Sequence, residues 1–102
     1  MTELRRLTLI FAAAHEAEVT SVLIEHSPPL PGFTLFKAEG HSSDFTHASP
    51  REQVRGRIER RVVWMVLPKE AVAQVIELLR PHVRQKALLW WTEPVEDFGR
   101  LM

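Results

Sequence analysis

Cysteine, tyrosine and asparagine are all missing from this chain of 102 residues. Without cysteine there can be no disulfide, no thiolate metal site and no thiol nucleophile. Without tyrosine or asparagine, mechanisms that need a phenol or an asparagine carboxamide are also excluded. A long hydrophobic run is missing as well. Arg5 and Arg6 precede the apolar stretch that begins at Leu7, and His15 and Glu16 close it, which is too short for a bilayer span and for a secretory core. The expectation is a cytoplasmic protein with no membrane insertion. Charge of one sign is not in excess either, since 13 Lys and Arg offset 13 Asp and Glu. A chain with this balance is not built to coat nucleic acid, so any electrostatic recognition has to be local.

What remains is the composition of an ordinary globular protein, 45% hydrophobic and 25% charged, long enough for one core. A single domain over residues 1–102 is expected. Leu7, Leu9 and Phe11 alternate with Thr8 and Ile10, so Leu4 to Phe11 reads as a strand. From about His15 the period changes to that of a helix, with Val19, Val22, Leu23 and His26 on one stripe. Ser27-Pro28-Pro29 stops it. Phe33 to Glu39 reads as a second strand and Arg61 to Leu67 as a third. Pro68 then opens a helix whose stripe is Val72, Val75, Ile76, Leu79 and Val83. Lys86 to Thr92 supplies a fourth strand, and Glu93 to Met102 is a mixed tail. The order βαββαβ predicts an α+β ferredoxin-like sandwich, a four-stranded antiparallel sheet with two helices on one face.

The third and fourth strands are apolar on both faces, whereas the helices can cover only one. The uncovered face therefore predicts self-association, unless the tail folds over it. Trp64, Trp90 and Trp91 are expected in the core or in a subunit interface rather than in a ligand pocket.

The stretch Gly40 to Arg57 interrupts the second and third strands and carries most of the residues suited to chemistry. His41, Asp44 and His47 recur at a spacing of three, a nitrogen and oxygen set that could take a divalent transition metal if the loop turned them inward. An ordinary solvated loop has the same composition. Arg51, Arg55, Gly56 and Arg57 form the core of a basic cluster that continues to Arg60 and Arg61. Guanidinium groups suit an anion or an acidic partner through their planar fork, and Gly56 would let backbone come close to it. No aromatic residues interleave with these arginines, so a single-stranded nucleic acid is not expected there.

Gly32-Phe33-Thr34 opening the second strand, Glu39-Gly40-His41 leading into the insertion, and Arg61-Val62-Val63-Trp64-Met65-Val66-Leu67-Pro68 before a helix resemble the PII signal-transduction proteins. Gln53-Val54-Arg55-Gly56-Arg57 and Phe98-Gly99-Arg100-Leu101 look like a PII-like group encoded beside heavy-metal efflux pumps. The resemblance implies a cytoplasmic homotrimer and a regulatory protein, not an enzyme. Its 40–57 loops would engage a partner such as an efflux transporter and help to bind a small effector, a metal ion or an anion, between subunits. One departure bears on nucleotides. Arg80-Pro81-His82-Val83-Arg84-Gln85-Lys86 stands where the family has a glycine-rich phosphate loop, and without glycine the backbone wraps a phosphate less easily. A ligand-free adaptor is the alternative expectation, followed by a small ferredoxin-like enzyme such as a monooxygenase.

Overall fold

The computed structural model describes residues 3–26, 30–41, 58–83 and 88–101. Strand β1 spans Leu4–Ala12, helix α1 Glu16–Glu25, β2 Thr34–Gly40, β3 Ile58–Pro68, helix α2 Lys69–Leu79 and β4 Leu89–Val95. Single 3-10 turns, Ala13–His15 and Arg80–His82, flank the helices. The four strands form one sheet in the order β2-β3-β1-β4, and every neighbouring pair is antiparallel. This is the expected βαββαβ arrangement.

Alternation along the strands decides which side chains meet the helices. Leu7, Leu9 and Phe11 of β1 share a face with Met65, Val63 and Arg61 of β3, their register partners. Those apolar residues join Leu67, Val19 and Leu23 of α1 and Val72, Val75 and Leu79 of α2 in one buried core. On α2 the buried positions repeat at three and four residues, one side of a helix. Ile76 and Val83, also expected on that stripe, are only partly buried against it.

Helix entry and exit follow local chemistry. Glu16 and Glu18 occupy the first turn of α1 and Glu70 that of α2, where carboxylates complement the exposed amides. The backbone N–H of Lys69, the first residue of α2, donates to the Glu3 carbonyl at 2.8 Å. Glu3 also receives Arg5 at 2.8 Å and Lys69 Nζ at 3.7 Å. The start of β1 is thereby tied to the start of α2.

Several boundaries shift from the sequence reading, three of them for a clear physical reason. Helix α1 ends at Glu25, and His26 is already extended, with φ −64° and ψ 138°, so His26 is a flanking residue rather than part of the helical stripe. Strand β3 starts at Ile58, three residues before Arg61, because Glu59 and Arg60 pair with Glu39 and Ala38 despite their charge. Strand β4 runs over Leu89–Val95 and includes Pro94, opposite Arg5. A proline is tolerated there because β4 is an edge strand, where an amide that faces away from the neighbour makes no ladder bond to lose.

The second face of the sheet is open. Val62, Trp64 and Val66 lie on it with Thr8 and Ile10 of β1, Phe36 of β2, and Leu89 and Trp91 of β4. Trp64 is 39% exposed, Trp91 44% and Leu89 56%. The tail does not cover them, since Phe98 and Leu101 are themselves exposed. Trp90 shares the face of Leu9 but stands half-exposed at the sheet edge. Among the described residues, no helix is long and apolar enough to cross a membrane.

Leu9 is fully buried between both partner strands and the helices. Leu9→Ala is expected to lower the unfolding free energy by about 2–5 kcal/mol, read as a drop in the urea midpoint at fixed protein concentration.

Candidate functional site

The long loop leaves the sheet and rejoins it at paired positions, because Gly40 ends β2 opposite Ile58, the first residue of β3. Its mouth is therefore built on a rigid hairpin. On the helix side, Lys37 stands opposite Arg61 and Glu39 opposite Glu59. Like charges face each other directly, but the diagonals, Lys37 with Glu59 and Glu39 with Arg61, are of opposite sign. Diagonal neighbours in a sheet are within reach of long side chains, so the four make a checkerboard. Helix α1 supplies the fifth charge, Glu16, whose Oε1 accepts from Arg61 Nε at 2.6 Å. Arg61 also donates to the Arg60 carbonyl at 3.1 Å. The Arg61 side chain is only 17% exposed, so it ties β3 to α1 and is committed to structure.

On the opposite face the same hairpin carries Ala38, Gly40 and Arg60. The Arg60 guanidinium lies directly over Gly40, where a Cβ would overlap it. Glycine here is a matter of room rather than backbone conformation. It seats a cation at the point where the loop departs. His41 follows, its Nε2 3.9 Å from Glu39 Oε2.

Of the residues singled out from the sequence, His41 is at this mouth, and Arg60 and Arg61 are beside it. Asp44, His47, Arg51, Arg55, Gly56 and Arg57 lie outside the described residues. Among the described residues, no group of three or more histidines and carboxylates is arranged to hold a metal ion. After α2, Arg80 is occupied by Glu77 through bonds of 2.9, 3.2 and 3.3 Å. His82 Nδ1 lies 3.6 Å from Glu18 Oε1 on α1. Residues 84–87 of that segment are outside the described residues. The seat of Arg60 on Gly40 and the Glu16–Arg61 tie escaped the sequence reading. Both join positions 20 or more apart in the chain, which no local pattern reveals.

A second set of polar contacts crosses the open face. Phe36 of β2 meets Trp64 of β3 edge to face, with 4.8 Å between ring centroids. Arg6 of β1 lies 4.3 Å above the Trp64 ring, a cation–π contact. Arg6 Nη2 and Nε donate to Glu93 Oε1 of β4 at 2.8 and 3.3 Å. Trp91 Nε1 donates to the same oxygen at 3.3 Å. Five side chains thus connect four strands. Between the register partners Trp64 and Trp91 sits Thr8, buried, whose hydroxyl has no partner among the described residues.

Comparison with known proteins agrees with this architecture. A family model described as a protein of unknown function, DUF3240, matches residues 1–102. A crystal structure of a DUF3240 family protein from Shewanella baltica superposes with a TM-score of 0.80 at 22% identity, covering 100% of both chains. CPII from Thiomonas intermedia, described as a nitrogen regulatory PII-like protein bound to ADP, AMP and bicarbonate, gives 0.70 at 20% identity, over 98% of this chain and 97% of that one. A PII-like signalling protein from Thermus thermophilus gives 0.64 at 15% identity, over 92% and 88%. The fold is therefore PII-like. A search of curated proteins gave no match.

The hydrogen bond from Arg6 holds the Glu93 carboxyl below its ordinary range, helped by the Arg6 charge and the Trp91 N–H and opposed by desolvation. A carboxyl with a depressed folded pKa contributes stability that is present above its unfolded value, about 4.3, and is lost as pH falls through the folded value. Between about pH 6 and pH 3 the urea midpoint of the parent is expected to fall more than that of Glu93→Gln.

Proposed function

The chain belongs to the DUF3240 family, and from that premise we propose that it is a PII-like regulatory protein that binds a small anionic effector at the mouth of its 40–57 loop and passes the bound state to a partner protein. The observation that carries this reading is the mouth itself: a paired hairpin end where Arg60 rests on Gly40. An arginine in that place offers a fork of donors to a carboxylate, a bicarbonate or a phosphate. Arg51, Arg55, Gly56 and Arg57 would bring further cations and an approachable backbone from the loop. The anions named with the Thiomonas protein, ADP, AMP and bicarbonate, define the class to test.

In this reading the protein works as a homotrimer with its open sheet faces turned inward. Its role is binding, with no chemical step. The resemblance of the sequence to the PII proteins and the exposed Trp64, Leu89 and Trp91 support the trimer. The partner we assign is a heavy-metal efflux transporter, on the resemblance of the segments 53–57 and 98–101. Metal binding by His41, Asp44 and His47 is a second reading, favoured by the place of His41 at the loop mouth beside Glu39.

Isothermal titration of the full chain with ADP, AMP, bicarbonate, Zn²⁺ and Ni²⁺ separates the two readings. An anionic effector predicts heat with at least one of the three anions, weakened about tenfold or more in Arg55→Ala/Arg57→Ala and in Arg60→Ala, as expected for loss of charge-assisted bonds. Heat only with the metals, abolished by His41→Ala/His47→Ala, would favour the metal reading. Absence of heat with all five would overturn effector binding.

A further inference from the structure

The contacts on the open face are unevenly distributed. All three hydrogen bonds between Arg6, Trp91 and Glu93 converge on one oxygen, Oε1. Among the described residues, Glu93 Oε2 and Arg6 Nη1 have no partner. The Arg6 side chain is 36% exposed and that of Glu93 43%, so an acceptor and a donor remain accessible side by side. Around them the surface is apolar. By register, the charged residues of this face are Arg6 on β1, Arg60 on β3 and Glu93 on β4, with Arg60 far off at the loop mouth.

A surface with one free donor beside one free acceptor is complementary to a copy of itself. A ring of copies satisfies it especially simply, each donor meeting the next copy's acceptor until the ring closes. Its composition also suits a protein interface, whose centres favour Trp, Phe and Arg and exclude Lys. A lipid surface would have to desolvate the ion pair and return nothing to it. A second copy of the chain returns a bond to each half.

We propose that Arg6 and Glu93 are the specificity-determining pair of self-association: copies of this chain meet on the open face, with Arg6 Nη1 of one taken by Glu93 Oε2 of another. This rests on the reading that the open face is covered by further copies of the chain. Once the face is covered, removing one member strands the other as a buried, uncompensated charge. Replacing both with apolar groups of similar volume removes that penalty.

Sedimentation equilibrium on the full chain tests both levels, with circular dichroism and urea unfolding on each variant to verify the fold. Arg6→Met and Glu93→Gln are each expected to weaken association by at least about tenfold, and Arg6→Met/Glu93→Leu to recover most of that loss. Glu93→Gln is nearly isosteric and carries the test if Arg6→Met does not fold. Trp64→Glu places a charge in the apolar part of the face and is expected to dissociate the assembly. If Trp64→Glu folds and leaves the mass unchanged, the covered-face reading fails, and the pair with it. If Trp64→Glu dissociates the chain while both single variants associate like the parent, only the role of Arg6 and Glu93 is overturned. Failure of the double variant to recover likewise overturns the pair.

Discussion

The pairing of β1 with β3 is the constraint on which the rest depends. Leu7 opposite Met65 and Leu9 opposite Val63 put the core side chains of the two central strands, Leu7, Leu9, Phe11, Val63, Met65 and Leu67, on the side the helices cover. A slip of one residue in β3 would turn Val62, Trp64 and Val66 inward and carry Val63, Met65 and Leu67 to the solvent face. The same register brings β2 alongside β3 and β4 alongside β1. It therefore sets where the loop departs, which residues share the open face, and which arginine can reach which carboxylate. The Glu3 carbonyl bond to Lys69 and the Glu16–Arg61 pair then fix the two helices against a sheet whose alignment is already decided.

Most of the fold could be read from alternation and punctuation. The strand residues Leu7, Leu9 and Phe11 and the helix residues Val72, Val75 and Leu79 announce their period plainly, and Pro28 and Pro68 mark changes of element. The errors cluster where charge and burial part company. Ile58-Glu59-Arg60 reads as loop because two of its three residues are charged, yet an antiparallel ladder bonds through the backbone and accepts charged side chains at a solvated end. Strand β4 reads too early because its tryptophans dominate the pattern, while Pro94 argues against a strand to anyone who does not know that the strand lies at an edge.

The site was legible only in part. A long insertion between two strands identifies its own position, and a run of arginines identifies the sign of the charge. What no local pattern shows is the division of labour among those arginines. Arg61 is drawn down to Glu16, 45 residues earlier in the chain, whereas Arg60, one residue away, points to the other face and lies on Gly40. Alternation of faces along a strand separates two identical neighbours into a structural tie and a candidate binding group. The same separation explains the open face, where Arg6 and Glu93 are distant in sequence and register partners in space.

Pro94 has a consequence for how copies of the chain can add to one another. An exposed sheet edge invites another strand to extend it indefinitely, and β4 is such an edge, seven residues long. The proline removes an amide from that edge and breaks the row of donors an incoming strand would need. Growth along the ribbon is discouraged at its most apolar margin, next to Trp90 and Trp91. One cyclic side chain at the margin thus makes the sheet a poor template for a further strand, and keeps the ribbon at four.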